Sequence, residues 1–250
     1  MTGNPQPEVD LQAWVWQWLQ KRRRARRGAG PVLPAGLKMW LNAAALDPLL
    51  TQEGVAVWPD LSDNDNVAEQ ASEFIRPSLE TVSFEGMTFP VVRFNSTDQG
   101  MTTPLVIPTD GAFSIFVLWR PAAGPAITAA VSSGSRDWTM GTYNGDMICY
   151  FGGWTAGATI TAGDFLLLEV RLTVGQDYSW AFLNGIKTAE TGPESPTLSP
   201  LQITLGASGS NGYPACCDLA ELMVWDRVLS DEEAAEVRAY FQGRYNYLKE

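Results

Sequence analysis

Catalysis in this 250-residue chain would have to proceed without histidine, because the sequence contains none. Histidine is the commonest general base, and the usual serine and cysteine hydrolase triads depend on it. Carboxylate chemistry stays open, since a glycosidase needs only two suitably placed acids. Glu169 stands in a predicted strand, but Arg171 follows two residues later, so we expect a same-face ion pair. The residues therefore predict no catalytic centre.

Acidic and amide side chains cluster at Asp60, Asp63 and Asp65, with Asn64 and Asn66 between and after them. Their oxygens are the ligands that calcium prefers, so a calcium site is one interpretation. The spacing is not that of an EF-hand loop, which also needs a glutamate at its end. The favoured interpretation is a tight turn in which Asp and Asn side chains bond to their own backbone.

The three cysteines, Cys149, Cys216 and Cys217, form neither a disulfide framework nor a zinc-binding pattern. A bridge between the neighbours Cys216 and Cys217 would be strained. We expect two thiols near the start of a strand.

Residues 135–157 are rich in aromatic, amide and glycine residues, a composition that suits sugar binding. Sugar rings stack on aromatic side chains while Asn and Asp bond to the hydroxyl groups. The alternative is that some of these aromatics fill the core, where large rings dominate burial. The candidate glycan-binding residues are Trp138, Tyr143, Asn144, Asp146 and Trp154, with Tyr213 from a later glycine-rich segment.

Short apolar segments separated by turn residues follow residue 37, a pattern typical of an all-β sandwich or barrel. Asn184-Gly185 is a strong hairpin signal. Ser230 and Glu233 form a capping-box pattern ahead of an apolar stripe at helical spacing, which predicts a closing helix. The stripe consists of Ala234, Val237, Phe241, Tyr245 and Leu248. The predicted strands are 37–41, 55–58, 91–94, 112–120, 165–174, 178–183, 186–189, 201–205 and 219–225.

The first 36 residues have a different character. Residues 8–27 predict an amphipathic helix, and residues 28–36 are punctuated by Gly and Pro like a linker. The exposed apolar face of such a helix must be buried on its own sandwich, on a partner chain or other copies, or on a membrane surface. We favour a protein partner, so the predicted anchoring residues are Leu11, Trp14, Val15, Trp18, Arg22, Arg23 and Arg24.

Charge divides the chain in the same place. Residues 1–30 carry six basic against two acidic side chains, a net charge of +4, so the remainder carries −15 of the total of −11. An acidic body repels nucleic acid at long range, and we expect no nucleic-acid partner. No stretch is apolar enough for a membrane span, and no signal peptide is evident.

Six segments in order resemble the concanavalin A-like (laminin G-like) domain of the bacterial and phage type. They are residues 37–43 (LKMWLNA), 57–66 (VWPDLSDNDN), 90–95 (PVVRFN), 113–117 (FSIFV), 178–185 (YSWAFLNG) and 218–233 (DLAELMVWDRVLSDEE). The resemblance implies a two-sheet antiparallel jelly-roll sandwich over residues 37–250, preceded by the helix and linker of residues 1–36. Hydrolases of this fold carry Glu-x-Asp-x-x-Glu on one strand, a triplet that this sequence lacks.

Together these features predict a non-enzymatic phage virion protein, a fibre or capsid decoration. Residues 1–36 would anchor it to a virion protein or to its own copies, and a trimer would bury the tryptophans of three helices together. The sandwich would be displayed on the virion surface to bind host glycans. Two alternatives stay open: a purely structural decoration protein without a glycan ligand, and a carbohydrate-active enzyme.

Overall fold

The computed structural model describes residues 31–49, 51–95, 99–107, 112–122, 127–133, 138–143, 146–151, 154–173, 179–191, 201–207 and 216–247. The helix predicted for residues 8–27, with all seven anchoring residues, lies outside these ranges. The compact unit that contains the sandwich spans Leu33–Glu250. No helix in the described ranges is both long and apolar enough to cross a membrane.

The described chain forms two antiparallel sheets and one α-helix, which confirms the predicted sandwich with a closing helix. The helix, α1, spans Asp231–Tyr245. The strands are β1 Leu37–Asn42, β2 Val57–Trp58, β3 Ala68–Glu69, β4 Ser78–Phe84, β5 Met87–Phe94, β6 Met101–Ile107, β7 Ala112–Pro121, β8 Ile127–Ser133, β9 Trp138–Tyr143, β10 Asp146–Phe151, β11 Trp154–Thr159, β12 Leu166–Thr173, β13 Ser179–Leu183, β14 Ile186–Thr191, β15 Leu201–Leu205 and β16 Cys217–Trp225.

The first sheet, which we call the helix-side sheet, has the order β14-β13-β12-β7-β16-β5-β4. Its inner strand β16 pairs with β7 along one edge. On the other edge, β16 pairs with β5 near Cys217 and with β1 near its end at Trp225. The second sheet has the order β11-β10-β9-β8-β15-β6-β3-β2.

Both faces of the helix-side sheet are buried at β7 and β16. Alternate residues of β7, such as Phe113 and Val117, face the core between the two sheets. Phe116 and Leu118 point the other way, into a second apolar cluster that α1 covers with Val237 and Phe241. Double burial explains why β7 reads as an almost continuous apolar run in the sequence.

Two local sequence signals, the Asn184-Gly185 hairpin and the capping box of Ser230 and Glu233, are confirmed. Asn184 and Gly185 both have positive φ, 52° and 80°, and join β13 to β14 as a two-residue hairpin turn. The Ser230 hydroxyl accepts a hydrogen bond from the backbone N–H of Glu233, whose carboxylate accepts one from the backbone N–H of Ser230. Ala234, Val237, Phe241 and Tyr245 are buried as predicted, whereas Leu248 lies outside the described ranges.

The folded unit begins before the predicted boundary at Leu37. The indole N–H of Trp225 donates a hydrogen bond of 3.1 Å to the carbonyl of Pro34. The Arg227 guanidinium donates to the carbonyl of Ala35 at 2.9 Å, and Leu33 packs against the helix-side cluster. The last four residues of the predicted linker are therefore part of the sandwich.

Candidate functional site

The sequence-predicted sugar-binding stretch folds mainly into strands. β9, β10 and β11 pair consecutively and antiparallel at one end of the second sheet. Sequence analysis did not predict these strands, because their glycine-rich, polar segments lack a clear apolar alternation.

Trp138 is fully buried between the sheets, with its ring centroid 5.7 Å from that of Phe113. Its indole has no surface to offer a sugar, which corrects the prediction for this residue in favour of the core alternative. Asp146 is half-buried and accepts a hydrogen bond of 3.0 Å from Thr159 on β11. The side chains of Tyr143 and Trp154, and the whole of Asn144 and Tyr213, lie outside what the structure describes.

The acidic turn after β2 is held together by hydrogen bonds to the side chain of Asp60. Both carboxylate oxygens of the buried Asp60 accept hydrogen bonds, from the backbone N–H groups of Trp40, Ser62 and Asn66 and from the Ser62 hydroxyl. Asp63 and Asp65 are exposed. This is the arrangement expected of a turn held by its Asx side chain. Within the described ranges, no three Asp, Glu, Cys or His side chains are grouped as metal ligands.

Cys217 starts β16 and is buried, and Cys216 precedes it; both are free thiols. Burial raises the pKa of the Cys217 thiol well above its usual value. A protonated, buried thiol is a poor nucleophile, so Cys217 is not suited to covalent chemistry.

A cleft of about 480 Å³ opens on the outer face of the helix-side sheet, where α1 begins. Volumes in this range suit a small ligand such as one or two sugar rings. Strands β12, β13 and β14 supply one wall, and the segment that leads into α1 supplies the other. The lining residues are Arg171, Trp180, Phe182, Lys187, Val228, Leu229, Ser230 and Asp231.

Two aromatic rings form the floor of this cleft. Trp180 and Phe182 are two residues apart on β13, so strand geometry places them on one face. Their neighbours Ala181 and Leu183 turn inward to the core between the sheets. Trp180 and Phe182 are half-buried, as expected of rings that line a partly open cleft.

Cations lie beside the aromatic floor. The guanidinium carbon of Arg171 is 4.5 Å from the centroid of Phe182 and 5.9 Å from that of Trp180. The ammonium nitrogen of Lys187 lies 5.9 Å from the ring of Trp180. These distances are within the range of cation–π attraction, so the cleft combines ring faces with charged hydrogen-bond donors.

Arg171 is held in place from three directions. Its Nε lies 3.0 Å from the Glu169 carboxylate, which confirms the predicted ion pair. One terminal nitrogen donates to the Asp231 carboxylate at 2.7 Å and to the carbonyl of Leu229 at 3.2 Å. Glu169 in turn accepts a hydrogen bond of 2.7 Å from Arg238 of α1.

The pKa values of the two carboxylates that pair with Arg171 are shifted in opposite directions. Burial raises the pKa of Glu169 above its ordinary value, although the charges of Arg238 and Arg171 oppose that shift. The hydrogen bond from Arg171 lowers the pKa of Asp231, which is exposed. Two carboxyl groups whose pKa values are shifted apart can act as an acid and a base, so this pair has to be considered as a catalytic pair.

Two further buried carboxylates of the helix-side sheet are occupied by structural contacts. Glu221 accepts hydrogen bonds from Tyr240, Tyr245 and the indole of Trp40. Asp218 is paired with Arg93 and Arg120. These acids fasten strands and helix together, since an unpaired buried charge would be very costly.

The sequence contained part of the signal for the cleft. Trp180 and Phe182 alternate with Ala181 and Leu183, so one face of a predicted strand carried large rings without a predicted covering. Asp231 and Ser230 could not be placed there, because they follow more than 45 residues later and reach the cleft only through the packing of α1 on the sheet.

The two sheets have the concanavalin A-like lectin/glucanase fold. A sialidase of Trypanosoma rangeli in complex with the inhibitor DANA aligns with a TM-score of 0.63 and 13% identity, over 93% of this chain and 38% of the sialidase chain. The binding domain of Paraclostridial Mosquitocidal Protein 1 aligns with a TM-score of 0.57 and 12% identity, over 82% of this chain and 52% of that chain.

The binding domain of botulinum neurotoxin DC, in complex with rat synaptotagmin II, aligns with a TM-score of 0.57 and 9% identity, over 83% of this chain and 52% of that chain. This chain thus spans about two fifths of the sialidase and half of the toxin binding domains. At these identities the likeness shows the fold alone. No protein-family model and no curated protein matches the sequence.

Proposed function

We propose that this protein binds carbohydrate, without catalysing a reaction on it, in the cleft lined by Trp180 and Phe182. The observation that carries the proposal is the pairing of two half-buried rings with Lys187, Ser230 and Asp231 at one opening. Ring faces stack on the apolar faces of sugars, and the polar groups can bond to hydroxyls. The fold, which also occurs in a sialidase and in toxin binding domains, is compatible with this role.

The acids beside the cleft support a binding role without catalysis. Glycosidases need two carboxyl groups that flank the scissile bond, one as an acid and one as a base or nucleophile. Glu169 is fully buried, and the Arg171 guanidinium binds both Glu169 and Asp231. A sugar in the cleft would meet Arg171 before it met Glu169, so this pair is better suited to hold a side chain than to transfer a proton.

We propose in addition that the protein acts on the surface of a phage virion, as a fibre or capsid decoration. The support comes from the sequence order, a tryptophan-faced basic segment, a Gly/Pro-rich linker and then the sandwich. Residues 1–32 would bind another virion protein or associate with copies of themselves, while the sandwich presents its cleft to host glycans.

A screen of the full-length protein against host-surface polysaccharides and arrayed glycans tests the binding proposal. Trp180→Ala should abolish binding, because it removes half of the aromatic floor. Phe74→Ala is the matched control, since this almost fully exposed ring does not line the cleft. Loss of binding in Trp154→Ala but not in Trp180→Ala would refute the cleft and favour the sequence-predicted stretch.

The same screen separates the two alternative functions. If the protein binds none of the polysaccharides or glycans, a purely structural decoration protein is favoured. Release of shorter saccharides from a bound polysaccharide would instead establish an enzyme and contradict our proposal.

The anchor is tested by deleting residues 1–32. Light scattering during size-exclusion chromatography should show a smaller assembly for the truncated protein, and the truncated protein should fail to attach to virions. If assembly and attachment both survive the deletion, the anchoring role is wrong.

A further inference from the structure

Building on the proposed carbohydrate binding, we propose that Glu169 is a positioning residue of the cleft. It fixes the Arg171 guanidinium on the ring of Phe182 and thereby makes sugar binding weaken as the pH falls. Glu169 itself is fully buried and touches no ligand.

The geometry makes Glu169 the inner support of Arg171. Arg171 is 5% exposed, and its Nε lies 3.0 Å from the Glu169 carboxylate as an ion pair that lacks the alignment of a hydrogen bond. Its outer support is Asp231, bonded at 2.7 Å to a terminal nitrogen. Between these two carboxylates the guanidinium carbon lies 4.5 Å from the centroid of Phe182. Removing the inner support leaves the Arg171 guanidinium held through one terminal nitrogen, by the carbonyl of Leu229 and the exposed carboxylate of Asp231.

Among the residues that the structure describes, the charged groups that face Glu169 lie on strand β12 and helix α1. Arg171 lies on the same strand, β12. Helix α1 contributes Arg238, bonded to Glu169 at 2.7 Å, and Asp231, whose negative charge opposes ionisation of Glu169. Tyr247, after the helix, is buried, and its pKa is raised by burial first and by the charge of Glu169 in part, so it stays neutral in acid.

The order of protonation follows from these contacts. Glu169 gains a proton at a higher pH than an ordinary glutamate, because burial raises its pKa. Asp231 keeps its charge to a lower pH than an ordinary aspartate, because Arg171 lowers its pKa. As the pH falls there is a window in which Asp231 is charged and Glu169 is not. In that window Arg171 is drawn toward Asp231 and away from its position beside Glu169.

The experiment follows two NMR signals of the uniformly ¹⁵N-labelled full-length protein from neutral to mildly acidic pH. The Nε–H signal of Arg171, assigned with Arg171→Lys, reports the support from Glu169. The indole signal of Trp180, assigned with Trp180→Phe, reports titration with glucose, galactose and N-acetylglucosamine. Glu169→Gln is the test variant. Glu221→Gln is the matched control, because Glu221 is an equally buried acid of the same sheet outside the cleft.

In the wild type the Arg171 signal should shift as Glu169 gains its proton, and the affinity for the bound sugar should fall about tenfold, the ratio for roughly 1.4 kcal/mol. In Glu169→Gln binding should be weak and independent of pH over this range, while Glu221→Gln keeps the wild-type profile.

Two results would overturn the proposal. One is an Arg171 signal that stays unchanged while Glu169 titrates. The other is a sugar affinity with the same pH profile in the wild type and Glu169→Gln. If no sugar binds at any pH, the proposed function fails, and the Arg171 signal still decides whether Glu169 positions it. The wild-type titration does not use Glu169→Gln, so it remains decisive if that variant does not fold.

Discussion

Gly141 and Gly243 show how differently single positions of this sandwich tolerate an added methyl group. Gly141 lies on β9 opposite Ala129 of β8, and a Cβ there would overlap the carbonyl oxygen of Thr128. Gly243 is an exposed residue of α1, and a Cβ there would meet no atom within 4 Å. The first glycine is required by close approach of two strands, and the second is a replaceable helix residue.

Opposite effects on stability are therefore expected from the same substitution. Gly243→Ala should raise the free energy of unfolding by about 0.5–1 kcal/mol, because glycine costs a helix interior that much relative to alanine. Gly141→Ala should lower it by more than about 2 kcal/mol, since strands β8 and β9 would have to separate. Urea denaturation of both variants checks this. Equal effects of the two substitutions would show that the close approach of β8 and β9 is not a constraint.

Residue type alone could not tell a ring that lines the cleft from a ring in the core. Trp138 and Trp180 are both tryptophans in polar, glycine-containing surroundings of the sequence, yet Trp138 is fully buried and Trp180 is half-buried in a cleft. What separates them is the face of the strand on which each lies and what covers that face. The Glu169–Arg171 pair was predictable, because it depends only on the spacing within one strand.

The start of α1 concentrates several stabilising contacts in one short element. The Ser230 hydroxyl caps the backbone N–H of Glu233 at 3.2 Å. Ser230→Ala should lower the free energy of unfolding by about 1 kcal/mol, the usual cost of losing an N-cap side chain. Glu236→Ala, on the exposed face of the same helix, is the control and should change little. Thermal denaturation of both variants measures the difference, and indistinguishable midpoints would contradict the role of the cap.

The same cap has a defined pH dependence through Glu233. Hydrogen bonds from Arg227 and from the backbone N–H of Ser230 lower the pKa of Glu233 from 4.5 to about 2. A lowered pKa means that the ionised form stabilises the fold, so this contribution is complete above pH 4.5 and is lost as the pH falls toward 2.

The free energies of unfolding of the wild type and Glu233→Gln, measured from neutral pH to pH 2, should therefore converge as the pH falls. The wild type should be more stable than Glu233→Gln above pH 4.5, and the difference should shrink toward pH 2. Glu236→Gln should show no such convergence. A wild-type advantage that is the same at pH 7 and pH 2 would show that Glu233 does not contribute through its charge.

At the level of elements, sequence analysis identified those whose signal is local. Ten to fifteen residues of sequence are enough to predict the Asn184-Gly185 hairpin, the capped helix and the apolar strands β7 and β16. Strands β6 and β8–β11 cannot be predicted from so short a segment. For example, β6 contains Pro104, and β8 consists largely of small and polar residues. Such strands form because neighbours in the sheet supply their hydrogen bonds, which is information that no short segment contains.

In the molecule as a whole, the sandwich includes a short stretch that the sequence assigned to the linker. Trp225 is fully buried at the end of β16, and the Pro34 carbonyl accepts its indole hydrogen bond. Leu33 adds apolar contact to the cluster beneath α1. The Gly/Pro-rich composition concealed this role, because proline and glycine mark irregular backbone whether or not that backbone is packed.

The boundary of the folded unit can be measured with two truncated proteins, one beginning at Leu33 and one at Leu37. The longer protein keeps the acceptor for Trp225 and the acceptor for Arg227 at Ala35. The shorter one leaves a buried indole N–H unpaired and exposes apolar surface. Its free energy of unfolding should be lower by about 2–4 kcal/mol.

Trp225→Phe in the longer protein separates the two causes, because it removes the donor and leaves Leu33 in place. This variant should lose part of the stability that the shorter protein loses, and adding the truncation to it should cost less than the truncation alone. Equal stability of the two truncated proteins would mean that residues 33–36 only lie against the sandwich. The predicted start at Leu37 would then describe the folding unit better than the contacts do.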